Sequence, residues 1–287
     1  MGQELRAVLF ISLCSTLFTA CATVPAEPEE VVPAEVPEIR PGILQGYLAA
    51  DAYPDSLALL PPPPSENSIA HVHDGAVSER SLTLRGSARW ILAAADNGLM
   101  FPAAAETFSC AVGVPITEVD TPSLYLLLRR TLADAGLSTY RAKNHYQRQR
   151  PFMANGQPTC VPAAEQEHLA ADGSYPSGHS SIGWAWALIL AELAPDRADA
   201  ILARGRAFGQ SRVVCNVHWQ SDVQEGQFMG SAAVAKLHSD PVFLTNLAAA
   251  RTELNAVRAR SLPPARDCEA EAAAMAQLPD DALWPMR

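Results

Sequence analysis

Charge is scarce in this chain, and positive charge is scarcer. Charged residues make up 18% of 287, with 21 Lys and Arg against 31 Asp and Glu. A net charge of -10 excludes the broad basic face with which proteins hold nucleic acid or anionic membranes. There is no CxxC pair, so the common structural zinc scaffolds are absent. Alternating strand patterns are rare, and no internal repeat is visible. No segment beyond the N-terminal leader is long and apolar enough to span a bilayer. What remains is a globular composition, 48% hydrophobic, able to bury one large core or two small ones.

The N-terminus reads as a targeting segment. Arg6 precedes an apolar run from Ala7 to Phe18 that is too short to cross a membrane. Ala20-Cys21-Ala22 has the small-x-small form of a signal-peptide site. Leu17 to Cys21 also resembles a lipoprotein box, in which Cys21 would carry the lipid, although Phe18 departs from the usual Leu. Residues 1–21 are expected to be a signal peptide. Residues 22–41, rich in Pro, Glu, Val and Ala, are expected to be an extended linker that favours a tether. Either cleavage implies export to the periplasm, soluble or anchored to the outer membrane through Cys21. Beyond Cys14 and Cys21, the mature part keeps Cys110, Cys160, Cys215 and Cys268. In an oxidising compartment these suggest up to two disulfides, with three possible connectivities.

The rest is expected to be all-α, with a domain over 42–260 and a tail over 261–287. Residues 42–75 read as irregular, with Pro61 to Pro64 extended. Helical patterns begin near Ser81. Ser87 to Leu99 is Ala-rich. Thr121-Pro122 forms an N-cap and N1 pair before Leu124, Leu128 and Leu132. Ser138 to Gln149 forms a further helix. Ser180 to Leu193 is apolar nearly all round and therefore central. Further helices start at Pro195-Asp196, run over Asp222 to His238, and run over Pro241 to Arg260.

Three short stretches carry the chemistry. They are Lys143 to Arg150-Pro151, then Pro176-Ser177-Gly178-His179, then Ser211-Arg212 with His218 and Asp222. Helical positions seven apart share a face, so Lys143 and Arg150 can meet one ligand. His218 and Asp222 lie four apart, within reach of each other on a helix. Ser177-Gly178 precedes a buried helix, whose free N–H groups suit an anion, and Gly178 lets backbone approach closely. Three cations, two histidines and one carboxylate fit phosphoryl transfer, which needs charge neutralisation and an in-line nucleophile. Each piece alone reads blandly: a solvated cationic helix face, a surface His–Asp pair, a turn with a cap. It is their occurrence together that favours function.

These stretches match the signature KX6RP, PSGH and SRX5HX3D in order, and the chain resembles the type 2 phosphatidic acid phosphatase and vanadium haloperoxidase superfamily. Pro54 to Pro64, Gly173 to His179 and His218-Trp219-Gln220-Ser221-Asp222 resemble, more narrowly, the bacterial class A non-specific acid phosphatases. The resemblance runs from about Gly46 to Leu254. It implies the compact helical fold of that superfamily. It also implies hydrolysis of many phosphate monoesters without cofactor or metal, and a dimer. His218 would be the nucleophile, Asp222 would orient it, and His179 would be the acid and base. Lys143, Arg150, Ser177, Gly178 and Arg212 would bind phosphate. Two histidines of ordinary pKa near 6.5 would suit an acid optimum. The resemblance also puts cysteines at 160 and 215, which leaves 110 and 268 as the second pair.

A vanadium-dependent haloperoxidase is the alternative, because vanadate mimics the phosphoryl transition state in the same pocket. The class A signature and the short length favour the phosphatase. Integral lipid phosphatases would need membrane spans. A mere phosphate-binding protein would have no use for His179, His218 and Asp222 together. Outside the motifs, His71 and His73 mimic a metal pair but are read as structural, and His168 and His238 as surface residues. Trp184 and Trp186 are read as core. His145 is read as pocket or packing, and Tyr146 and Phe152 as candidates for touching the organic part of the substrate.

Overall fold

A segment that offers water almost no polar face has to sit in the middle, and it does. The computed structural model describes residues 1–2, 35–264, 266–277 and 279; the rest of the targeting segment, with Cys21, lies outside them. Within the unit formed by residues 36–287, helix follows helix. They are α1 (Ser56–Leu59), α2 (Ile69–Ser81), α3 (Ala88–Ala95), α4 (Ser109–Val112), α5 (Pro122–Leu137), α6 (Tyr140–Tyr146), α7 (Pro151–Asn155), α8 (Ala163–Ala170), α9 (Gly178–Leu193), α10 (Ala198–Val214), α11 (Gln220–Leu237), α12 (Pro241–Ala259) and α13 (Cys268–Met275). Among the described residues the single sheet is an antiparallel hairpin of β1 (Glu38–Arg40) and β2 (Ile43–Leu44). The fold is all-α, as expected, and no described helix is long and apolar enough to cross a membrane.

Helix α9 is clasped by α10 and α11 and backed by α5. Its Ile182, Trp186, Ile189, Leu190 and Leu193 are buried in the main core. Trp186 meets Phe101 and Phe108 edge-on, and its indole N–H donates to the Leu128 carbonyl at 3.0 Å. Truncating so large a buried ring would cost about 3–5 kcal/mol. Trp184 is also held structurally, by Ser231 Oγ at 3.0 Å. The close clasp depends on glycine: a Cβ on Gly226 of α11 would overlap the carbonyl of Ser177, and one on Gly230 that of Ser181. The start of α9 is thereby pressed onto the start of α11, and Ser177 N–H donates to the Asp222 carbonyl at 2.9 Å. Two of the three motifs are locked together by this contact.

Several local expectations change. The region 42–75 is not wholly irregular, because α2 begins at Ile69 with Ser68 capping His71 N–H at 3.1 Å. Its inward face is Asp74, Ser78 and Ser81 beside Val77, so it shows no apolar stripe. Thr121 does not cap α5 with its side chain. The N–H groups of Ser123 and Leu124 are taken by the Glu253 carboxylate of α12, both at 2.9 Å. The helix expected over Ser138 to Gln149 stops at Tyr146, where Gln147 turns left-handed at φ 45°. The hairpin begins inside the stretch read as linker, and the tail contains α13. Disulfides join Cys110 to Cys268 and Cys160 to Cys215, the pairing implied by the resemblance.

Candidate active site

The break after α6 is what brings Lys143 and Arg150 to one place. Lys143 leaves the last turn of α6, and Arg150, extended at φ -80° and ψ 154°, opens α7. The two meet by a chain reversal, not on one continuous helix face. His218 lies in the connection between α10 and α11, and Asp222 in the first turn of α11. A cavity of about 200 Å³ is lined by Lys143, Arg150, Gly178, His179 and His218, together with Tyr140 and Asp172. Three stretches distant in sequence therefore share one chamber.

His218 is held at both nitrogens. Its Nδ1 faces Asp222 Oδ2 at 3.3 Å, and its Nε2 faces Arg150 Nη1 at 3.0 Å. A guanidinium can only donate, so Nε2 must present its lone pair and the ring proton sits on Nδ1, toward the carboxylate. Asp222 is itself fixed. It accepts from Trp219 N–H at 2.8 Å and from Arg148 Nη1 at 2.6 Å. Arg148 also bonds Asp74 Oδ2 at 2.8 Å, and Asp74 takes the Ser221 N–H at 2.9 Å and its hydroxyl at 2.5 Å. A buried chain of Asp74, Arg148 and Asp222 thus stands behind the imidazole.

His179 has the opposite kind of partner. Its Nε2 lies 3.0 Å from the backbone carbonyl of Asn97, an acceptor, so Nε2 carries a proton and Nδ1 is the nitrogen left for exchange. The Asn97 side chain accepts from Arg212 Nη1 at 2.6 Å and donates to Glu165 at 2.6 Å. Arg212 is buried, and its Nε and Nη2 have no hydrogen-bond partner among the described residues. Buried guanidinium donors without a partner are costly unless an anion meets them.

Arg150 is the reverse case. Nε donates to the carbonyls of Leu169 and Asp172, Nη1 to Val217 and to His218, and Nη2 to Gly173 and to the Asp172 carboxylate. Lys143 Nζ donates to the Gly173 carbonyl at 2.6 Å and lies 3.3 Å from Asp172 Oδ2. Ser177 caps α9, its Oγ accepting from Ser180 N–H at 3.2 Å. A Cβ at Gly178 would meet just Thr139 Oγ1 at 3.6 Å, so protein packing alone does not require glycine there.

Burial dominates the electrostatics. It holds both imidazoles well below the ordinary histidine value, helped by Arg212 at His179 and by Arg150, Lys143 and Arg212 at His218. The expectation of two ordinary histidines is therefore corrected: without a bound anion, burial and the nearby cations keep both neutral. Burial and Arg150 lower Lys143 to about 8, and burial and Arg150 lower Arg212 to about 9. A dianion brought into this chamber would raise all four.

Of the residues expected to touch substrate, Phe152 is buried in a cluster with Val213 and Cys215. Tyr146 packs against His145 and Tyr175, and His145 is exposed. The tyrosine in the chamber is Tyr140. His71 and His168 lie exposed, and His238 pairs with Glu192 on the surface. Asp74, Asn97, Arg148 and Asp172 escaped the sequence reading. Arg148 sits between the specified ends of KX6RP, and the others lie outside every motif.

A neutral, lone-pair-bearing imidazole beside buried cations is chemically suited to attack on phosphorus, and likeness to known proteins concerns the activity as a whole. Residues 124–242 match the PAP2 superfamily model. The chain is 48% identical over 208 residues to a non-specific acid phosphatase of Providencia stuartii, covering 72% of this chain and 84% of that one. It is 42% identical over 210 residues to an acid phosphatase of Zymomonas mobilis, covering 73% and 79%. It is 39% identical over 213 residues to a non-specific acid phosphatase of Salmonella typhimurium, covering 74% and 85%. Likeness at that level across most of both chains, joined to the helical fold, makes this protein a member of the non-specific acid phosphatases of the PAP2 superfamily, and an acid phosphatase.

Proposed function

We propose that the enzyme hydrolyses a broad range of phosphate monoesters in two steps through a phosphorylated His218, without a metal ion. The observation that carries this is the donor-only Arg150 against His218 Nε2, which leaves a lone pair on the nitrogen nearest the cations. The phosphoryl group would be held by Arg212, Lys143, Arg150, Ser177 and the N–H of Gly178. As its oxygens draw Arg150 away, Nε2 is released to attack. The N–P bond forms while the P–O ester bond breaks, and the leaving oxygen takes a proton from His179 Nδ1. Asp222 holds the Nδ1 proton of His218 and offsets the positive charge that grows on the ring. Water then attacks phosphorus and gives a proton to His179. The N–P bonding pair returns to Nε2, and inorganic phosphate leaves.

His179 must be protonated to act as acid, and the incoming dianion would provide that by raising its pKa. Cationic side chains supply the charge neutralisation. Among the described residues no group of three His, Cys, Asp or Glu side chains could hold a metal ion. The test is turnover of p-nitrophenyl phosphate with a chelator present, followed by rapid acid-free quenching and mass analysis of the peptide containing His218. The expected result is undiminished turnover and a phosphorylated His218. Activity that vanishes with the chelator, or a phosphate on another residue, would overturn it.

The enzyme would work outside the cytoplasm, where both disulfides can persist. Mass analysis of the mature N-terminus distinguishes a lipidated Cys21 from plain cleavage. Sedimentation tests the dimer.

A further inference from the structure

A phosphate group cannot simply be added to the donors that would bind it, because Arg150 has none to spare. All five of its N–H groups are engaged: one on the Leu169 and Asp172 carbonyls, two on Val217 and His218, two on Gly173 and the Asp172 carboxylate. The backbone carbonyls among these cannot be given up without moving the chain. The chain is fixed there, since Ser174 N–H donates to the Arg148 carbonyl at 2.8 Å and a Cβ on Gly173 would crowd the Lys143 carbonyl. Two acceptors remain that a side-chain rotation can withdraw. One is the nucleophile nitrogen itself. The other is Asp172, whose single Oδ2 lies 3.0 Å from Arg150 Nη2 and 3.3 Å from Lys143 Nζ.

Asp172 differs from the other carboxylate of the site in the way exchange requires. Asp222 is fully buried and tied to backbone, to Arg148 and to His218. The Asp172 side chain is 34% exposed on the chamber wall and can turn toward water. We propose that Asp172 is an exchangeable internal anion: its carboxylate holds the phosphate-facing ends of Lys143 and Arg150, yields them to the phosphoryl group, and takes them back as phosphate leaves. It is a positioning residue that sets affinity for substrate and product. This rests on the phosphate site described above. A protein anion that must be displaced weakens binding by the fraction of molecules in which it has already moved. A carboxylate that stayed beside the phosphate would repel it, which acts in the same direction.

The test compares wild type with Asp172→Asn, which keeps size and hydrogen bonding but loses the charge. At pH 6, inorganic phosphate is titrated by calorimetry and as a competitive inhibitor of p-nitrophenyl phosphate hydrolysis. The expected result is phosphate binding and KM both tighter by about tenfold, with kcat lowered as product lingers. Asp172→Glu, with the charge restored, is expected to return toward wild type. Should the Asn variant not fold, Asp172→Ser carries the same expectation. Equal affinity in wild type and the uncharged variant, or weaker binding in the variant, would overturn the proposal and leave Asp172 as a brace. Failure of the wild type itself to bind phosphate would sink the site reading, a separate outcome.

Discussion

His218 and His179 line one chamber, yet their surroundings assign them opposite tasks. At the turn between α10 and α11, His218 Nε2 faces a donor, the guanidinium of Arg150. At the start of α9, His179 Nε2 faces an acceptor, the carbonyl of Asn97. The first partner exposes a lone pair, and the second leaves Nδ1 to carry a proton that can be given away. Burial and nearby cations depress both rings, so the direction of the shift does not tell them apart. The lesson is that tautomer, fixed by one neighbour each, distinguishes the two rings where composition cannot, in the sense the proposed nucleophile and acid would need.

The comparison breaks most sharply at His218. His218→Ala is expected to lower kcat by about 10³-fold or more for every monoester, whatever its leaving group. Steady-state kinetics on a series of aryl and alkyl phosphates measures it. A residual rate within tenfold of wild type would remove His218 from the reaction. His179→Asn should behave differently. For alkyl phosphates, whose leaving oxygen needs a proton, kcat/KM, which reports the first step alone, should fall by about 10²–10⁴-fold, with a much smaller loss for an activated aryl phosphate. A loss of kcat/KM independent of leaving-group pKa would show that His179 is not the acid. Asp222→Asn comes next, with an intermediate loss of about 10²-fold, because the ring would lose both its orienting acceptor and the charge that steadies it. A circular dichroism melt should accompany this variant, since Arg148 and Asp74 would then share an unbalanced buried chain.

Much of this comparison could be read before any coordinates, because the motifs contain both imidazoles and three of the buried cations near them. Lys143, Arg150, Gly178, His179 and His218 do line one cavity. What stayed hidden is the layer that holds them. Asp74 lies on α2, whose buried face is polar, so the periodicity that reveals helices was missing. Asn97 acts partly through its backbone carbonyl, which no side-chain pattern encodes. Arg148 and Asp172 read as ordinary charges until burial and distance are known. The helix expected over Ser138 to Gln149 failed at Gln147, since the spacing of seven between Lys143 and Arg150 fits a helix and a tight reversal equally well.

The mildest perturbation, a change of pH, sharpens the same contrast. Lys143 is lowered to about 8 by burial and by Arg150, so in free enzyme it is charged below that pH and neutral above it. Losing a phosphate-binding cation weakens capture of substrate. The value of kcat/KM should therefore fall as pH rises through about 8, while the guanidiniums of Arg150 and Arg212 keep their charge. Bound phosphate favours the charged lysine, so the corresponding limb of kcat should lie at higher pH. Substrate ionisation, with a second pKa of about 6, shapes the acid side and leaves this limb clean. Lys143→Met should reduce kcat/KM at pH 6 and erase the limb near 8. If that limb persists unchanged in the variant, Lys143 is not the cation that binds substrate, and the charge held by Arg150 and Arg212 suffices for capture.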